Sequence, residues 1–472
     1  MLLRQIFDPK LAQYAYLIGC QRSGEALVID PERDVDRYIE LARREGLRLV
    51  AVAETHIHAD FLSGARELAE ALGVRLYLSD EGDADWKYEW AVGGAYDVQL
   101  LRDGDTFGVG NIDIRALHTP GHTPEHLSFV ITDRGGGAEE PIGVVTGDFV
   151  FVGDLGRPDL LESAAGVAGQ MDPSARTLYR SLDRFLDLPD YVQVWPGHGA
   201  GSACGKALGA VPSSTVGYEK RHNAALDTAR LGEDAFVEAI LGGQPEPPLY
   251  FATMKRLNKE GPPILGRLPN AEALDLDALR SALDDPDTVV VDTRTDRRAF
   301  MDGHLDGALY APFDRSFPTI VGSYVRPRER IVLLIDEMHV GEAIRDLVRI
   351  GFDRVGGFAT PDAPAAPELA DRLRSTPVVD FARAERERIR PGVTLLDVRR
   401  AAEHAAGHIP GSLHIAHTRL LDCLDDVPKG GELFVHCQSG GRASAAVALL
   451  ERAGHKVRLV DDAFGRWQQS AA

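Results

Sequence analysis

Thr55-His56-Ile57-His58-Ala59-Asp60-Phe61 sets two imidazoles and a carboxylate on one short stretch, directly after the apolar run Leu49 to Ala53. The run reads as a buried strand and the stretch after it as a loop at the strand's end. The same arrangement recurs three times downstream. His122 stands in His118-Thr-Pro-Gly-His122-Thr, Asp148 in Thr146-Gly-Asp148 and His198 in Trp195-Pro-Gly-His198-Gly, behind strands expected at Ile112 to Leu117, Ile142 to Val145 and Tyr191 to Trp195, with a further strand expected at Leu127 to Ile131. Tyr14 to Ile18 and Ala26 to Ile29 flank a turn and read as a hairpin, and Ser63 to Leu72 has helical spacing. A rigid sheet that ends each strand just before a reactive group is how α/β folds fix a site.

His and Asp so closely spaced point to a metal, because a neutral imidazole and a carboxylate are ligands for a divalent cation. A hydrogen-bonded scaffold without metal is the plainer alternative. The ordered set resembles the metallo-β-lactamase superfamily, with its HxHxDH, H, D and H motifs, over roughly residues 1 to 240. One position departs: Phe61 stands where two-metal members carry a histidine. Within the superfamily the pattern is closest to the persulfide dioxygenases, and that resemblance implies one Fe(II) per chain held by His56, His122 and Asp148. It makes His58, Asp60 and His198 orienting or proton-relaying neighbours, and Arg157, in Gly156-Arg157-Pro158-Asp159, a clamp for a substrate carboxylate. His118 and His126 are read as ordinary structural histidines. Cys204, shortly after His198, is read as a buried thiol with a possible redox role, and Cys20 and Cys423 as packing residues.

The second half contains an internal repeat. Val290-Val291-Asp292-Thr293-Arg294 matches Leu396-Asp397-Val398-Arg399, and Gly303-His304-Leu305-Asp306-Gly307 matches Gly407-His408-Ile409-Pro410-Gly411. Each copy continues into another apolar run, at Ile331 to Ile335 and at Leu433 to His436. In the second copy the run leads into Cys437-Gln438-Ser439-Gly440-Gly441-Arg442 and then a helix. Backbone N–H groups of such a loop, beside a helix N-terminus, form a cradle for an anion or a persulfide. This segment resembles the rhodanese family, with Cys437 as the sulfur carrier, Arg442 as an added cation and Gln438, Ser439, Gly440 and Gly441 as the cradle. Related phosphatases have a loop one residue longer. The first copy places Asp336 at the cysteine position and Gly341 at the arginine position, so it has neither nucleophile nor cation.

Composition bounds the rest. The chain has 472 residues, too many for one ordinary core. A net charge of −20 repels nucleic acid and anionic lipid. Four scattered cysteines do not make a disulfide framework, and no run is long and apolar enough for a signal peptide or a membrane span, so a cytoplasmic protein is expected. The expected fold class is α/β: a metallo-β-lactamase αββα sandwich at 1–245, a linker at 246–267, a catalytically silent rhodanese-like domain at 268–360, a linker at 361–375 and an active rhodanese domain at 376–472. The resemblances imply oxidation of a low-molecular-weight thiol persulfide by O₂ to thiol and sulfite, coupled to sulfur transfer between persulfide or thiosulfate and sulfite or thiol, in a homo-oligomer. The alternatives are a zinc thioester hydrolase resembling glyoxalase II and a persulfide carrier or sensor.

Overall fold

A computed structural model describes residues 1–163 and 169–471. They form two compact units, residues 1–267 with 348–351 and residues 268–347 with 352–472.

The first unit is built on two six-stranded sheets. One follows chain order: β1 (Leu2–Asp8), β2 (Gln13–Cys20), β3 (Glu25–Ile29), β4 (Arg48–Ala53), β5 (Arg75–Ser79) and β6 (Val98–Leu101). The other comprises β7 (Thr106–Val109), β8 (Ile112–His118), β9 (Leu127–Asp133), β10 (Gly143–Gly147), β11 (Gln193–Pro196) and β12 (Ser214–Thr215), also in chain order. Side chains alternate across a strand, and β2 shows the consequence. Tyr14, Tyr16 and Ile18 face a core shared with Phe107, Ile114, Phe129 and Trp195 of the other sheet. Ala15 and Leu17 pack instead among Tyr38, Ala42, Ala65 and Leu68 from the helices Asp36–Arg44 and Ala65–Leu72. The outer face of the second sheet buries Val144 and Val194 against Leu178, Leu182 and Phe185 of the helix Met171–Leu186. The result is an αββα sandwich.

The second unit holds two parallel sheets. Parallel strands covered on both faces need near-continuous apolar sequence, which β13 (Thr288–Asp292, TVVVD) supplies, buried throughout. With β14 (His304–Leu305), β15 (Leu309–Tyr310), β16 (Arg330–Leu334) and β17 (Val355–Ala359) also present, the first sheet has the order β15-β13-β16-β17. β18 (Leu373–Arg374) pairs with β14. The second sheet is β19 (Val378–Val379), β23 (Lys456–Val460), β22 (Glu432–His436), β20 (Val393–Asp397) and β21 (Leu413–His414), in that spatial order. The two sheets share one strand order apart from the edge strand β19, and an isolated parallel bridge between Ala273 and Phe358 occupies the equivalent edge of the first.

Residues 246–267, expected to be a linker, belong to the first unit and contain the helix Tyr250–Glu260. Tyr250, Phe251 and Met254 are buried, and that burial fastens the helix despite the proline-rich stretch Gly242-Gly-Gln-Pro-Glu-Pro-Pro248 from which a linker is expected. Residues 361–375, the other expected linker, form two short 3₁₀ turns and β18.

Candidate metal centre and sulfur-transfer loop

The loops after β4, β8 and β10 bring His56, His122 and Asp148 together, with one potential ligand atom from each lying within 4.8 Å of the others. All three are buried. The ring tautomers follow from what each Nδ1 faces. His122 Nδ1 lies 2.9 Å from the carbonyl oxygen of Arg157, which can only accept, so Nδ1 carries the proton and Nε2 keeps its lone pair. Thr55 Oγ1 donates to Asp30 Oδ2 at 2.9 Å and sits 2.9 Å from His56 Nδ1, so it accepts from that ring. His56 Nε2 and Asp148 Oδ2 are buried with no hydrogen-bond partner among the described residues. Buried polar atoms left unpaired are costly, and two that converge with a bare imidazole nitrogen fit a divalent cation.

Two further clusters flank this one, and each holds residues the sequence reading named. His198 Nε2 lies 3.1 Å from Asp60 Oδ2 and 3.4 Å from Asp148 Oδ1, while His198 Nδ1 faces the carbonyl of Ala12. Cys204 joins Asp60 and His198 as a third possible ligand. Burial pushes the Cys204 thiol up to about 12, aided by the nearby carboxylates. Burial also opposes charge on His198, but Asp148, Cys204 and Asp60 outweigh it and hold its pKa well above the usual imidazole value. His58 turns the other way. Its Nε2 is 2.9 Å from Glu54 Oε2 and 3.3 Å from Asp30 Oδ1, and these carboxylates overcome burial to raise its pKa strongly. Phe61 is fully buried with its ring 4.3 Å from that of His58.

Sequence reasoning missed several supporting groups. Asp30 and Glu54 carry no spacing signal of their own, although Glu54 stands four residues before His58. Asn258 Nδ2 donates to the carbonyls of His58 and Phe61, and its Oδ1 accepts from Ser63 N–H, so it pins the ligand loop from both sides. His126, read as structural, accepts the backbone N–H of Asp148 at its Nε2, 3.1 Å away, and so places that carboxylate. Gly156 is required by close approach: a Cβ there would stand 1.7 Å from the Asp148 carbonyl oxygen. Gly156→Ala is therefore expected to shift Asp148 and cut metal affinity by about 10- to 100-fold, as loss of a ligand's support does. Equilibrium dialysis against a buffered metal measures it.

Arg157 departs from its expected role. Its Nε and Nη2 bind Asp159 at 2.8 and 2.6 Å, and its remaining reach goes to the carbonyls of Ala203 and Pro245. With Arg157 1% and Asp159 6% exposed, the pair is an internal strut whose fork is closed to a substrate carboxylate. Arg157→Met leaves Asp159 buried and unpaired, and is expected to cost about 3–5 kcal/mol of stability by urea unfolding.

In the second unit, Asp397 and Arg399 make a buried bidentate pair at 3.0 and 2.6 Å, and Arg399 Nη2 also donates to Gly407 O at 2.8 Å. Asp292, Arg294 and Gly303 repeat these contacts in the first copy. The shared Asp-x-Arg residues and the glycine carbonyl that accepts from the arginine are thus struts. Cys437 is buried, just after β22, and Gly440 takes a φ of +91° before the helix Gly441–Arg452. A Cβ at Gly440 would lie 2.2 Å from Asp461 Oδ1. Arg442 pairs with Glu403 through its two terminal guanidinium nitrogens, Nη1 and Nη2, at 2.5 and 2.8 Å. Arg297, from the first copy, donates to Ser439 O at 3.2 Å and to Asp461 at 3.0 Å, bracing the loop from outside. In the first copy the helix Glu337–Arg349 begins directly after Asp336, so the residues that align with the loop are already helical.

The model of the metallo-β-lactamase superfamily matches residues 8–198, and that of the rhodanese-like domain matches residues 381–470. The mitochondrial persulfide dioxygenase ETHE1 of Bos taurus is 32% identical over 203 residues, 42% of this chain and 68% of that protein. A probable metallo-hydrolase of Burkholderia pseudomallei is 31% identical over 259 residues, 50% of this chain and 84% of that one. The chain belongs to the metallo-β-lactamase superfamily. It carries a rhodanese-like domain at its C-terminal side. A solved metallo-β-lactamase from Staphylococcus aureus subsp. aureus COL is 39% identical, covers 76% of this chain and 98% of its own, and superposes with a TM-score of 0.67. Against the superfamily's ordered His and Asp motifs, Phe61 remains the departure, and Cys204 is the residue the fold brings next to Asp60 and His198.

Proposed function

We propose that the first unit is an Fe(II)-dependent persulfide dioxygenase and that Cys437 carries sulfur in the second. The convergence of His56, His122 and Asp148, two imidazoles and one carboxylate with bare inward-facing atoms, carries the reading. That donor set is the facial triad of oxygen-activating non-haem iron. Similarity to persulfide dioxygenases supports it, as does the rhodanese-like domain in the same chain.

His56, His122 and Asp148 would hold one Fe(II). When bound, the iron supplies the one-electron chemistry that lets O₂ react with a sulfur atom. The protein's part is placement. Thr55 and the Arg157 carbonyl fix the two imidazole tautomers, and His126 fixes the Asp148 backbone. His198 holds a proton at Nε2 between Asp60 and Asp148, positioned to pass it to a departing thiolate. Overall, persulfide, O₂ and water give thiol and sulfite.

At the loop, the Cys437 thiolate attacks the outer sulfur of a persulfide or thiosulfate, takes that sulfur and releases thiol or sulfite. The Cys437 persulfide then passes the sulfur to an acceptor. The backbone from Gln438 to Gly441 holds the anion, and Arg442, already paired with Glu403, adds positive charge beside the loop. The first copy, without nucleophile or loop, acts as a brace through Arg297. One site's product is the other's substrate, so fusion raises its effective concentration.

The Asp60, His198 and Cys204 cluster favours one second reading, a two-metal hydrolase. Metal analysis with O₂ uptake on adding a thiol persulfide separates the two. One iron per chain and persulfide-dependent uptake are expected; two zincs and no uptake would overturn the dioxygenase.

A further inference from the structure

The first unit contains a cavity of about 730 Å³ whose wall includes Ile57, between His56 and His58, and Pro124, two residues beyond His122. Trp86, Leu161 and Lys255 complete its apolar and cationic side. The three cations on its wall differ in one respect. Arg256 is paired with Glu260 at 2.6 Å and Lys259 with Glu89 at 3.2 Å. Lys255 makes neither a hydrogen bond nor an ion pair among the described residues; its ammonium lies over the Trp86 ring, 3.9 Å from the centroid.

The acids nearby do not answer it. Glu125 is fully buried, with Oε1 accepting from Ile57 N–H at 2.8 Å, and its charge reaches Lys255 without forming an ion pair. Asp83 accepts from the backbone of Asp85 at the start of a short turn. Burial works against the Lys255 ammonium and brings its pKa down to about 7. A half-buried cation without an ion-pair partner is stabilised when an anion arrives to pair with it. The seat of the ammonium over the Trp86 ring holds it in place on the cavity wall. With Arg157 closed on Asp159, Lys255 is the unpaired cation on this wall.

We propose that Lys255 binds the anionic group of the thiol whose sulfur the metal centre processes, and that this cavity is where the body of that thiol lies. The inference rests on the persulfide reading for the identity of the sulfur group and on the cavity for the charge. Its ligand class is an anionic thiol, whose charge is either carboxylate or phosphate. The cavity falls within the usual size of a small-molecule site.

Binding is tested without turnover, by quenching of tryptophan fluorescence in the metal-loaded full chain, since Trp86 lies against Lys255. Glutathione supplies a carboxylate thiol, coenzyme A a phosphate thiol and 2-mercaptoethanol an uncharged one. Glutathione or coenzyme A is expected to bind wild type at least about tenfold more tightly than Lys255→Met, a loss of about 1.4 kcal/mol. Lys255→Arg should bind near the wild-type value, and 2-mercaptoethanol should not distinguish the variants. Whichever thiol shows the Lys255-dependent difference identifies carboxylate or phosphate. Equal affinity of wild type and Lys255→Met for both anionic thiols would overturn the proposal, as would no binding of either to wild type. Oxygen uptake is measured separately: if Lys255-dependent binding persists while wild type consumes no O₂ with any persulfide, the dioxygenase reading fails and the anion site stands.

Discussion

Cys437→Ser is expected to lower transfer of sulfur from thiosulfate to a thiol by about 10³-fold or more, the scale of removing a nucleophile. Oxidation of a supplied persulfide should stay near the wild-type rate. The reason is local: Cys437 alone among the four cysteines lies in a loop with a positive-φ glycine ahead of a helix N-terminus and an arginine at its end. Serine is isosteric but cannot carry sulfane sulfur. With persulfide as sole substrate, wild type should convert part of its sulfite to thiosulfate and the variant should accumulate sulfite. Chromatography of the products decides it. Thiosulfate formed by the variant at the wild-type rate, above the non-enzymatic background, would mean that another thiol carries the sulfur, with Cys204 the first to examine.

Replacing His56, His122 or Asp148 by alanine is expected to reduce persulfide-dependent O₂ uptake by about 100-fold or more, because even loss of a ligand's supporting contact costs 10- to 100-fold in metal affinity. Bound metal should fall in parallel. The sulfurtransferase activity of Cys437 should survive, since the three ligands lie in the first unit and Cys437 in the second. Each variant leaves two of the three donors in place, so the residual metal content reports how much each contributes. Parallel loss of both activities in a soluble, folded variant would count against two independent sites.

Much of this was legible from spacing. His56, His122, Asp148 and His198 each follow an apolar run, and a strand that stops before a polar residue delivers it to the sheet's edge. Strand boundaries moved by a residue or two, as at Gln193–Pro196, because hydrogen bonding rather than apolarity sets the last paired residue. The short strands at Arg75–Ser79, Val98–Leu101 and Thr106–Val109 went unread. Val98–Leu101 and Thr106–Val109 are half-buried edge strands and Arg75–Ser79, though buried between two neighbours, is only five residues long, so their pairing depends on partners elsewhere in the chain. Residues 246–267 misled for a related reason: prolines mark a break in backbone regularity, which a turn inside a domain produces as readily as a linker.

The sequence by itself determined which chemical groups are available and in what order: the His and Asp set with Phe61 in place of a ligand, the Cys437 to Arg442 loop, and the repeat with Asp336 where the second copy has its thiol. These are local properties, written in residue type and spacing. Only the tertiary structure decided how the groups are used. It closed Arg157 on Asp159, turned His58 toward Glu54 and Asp30, set Cys204 beside Asp60 and His198, and left Lys255 unpaired over Trp86. A charge pairs with whatever the fold brings within a few ångströms of it, and most of those partners are far away in sequence; burial then makes each such pairing, or its absence, count.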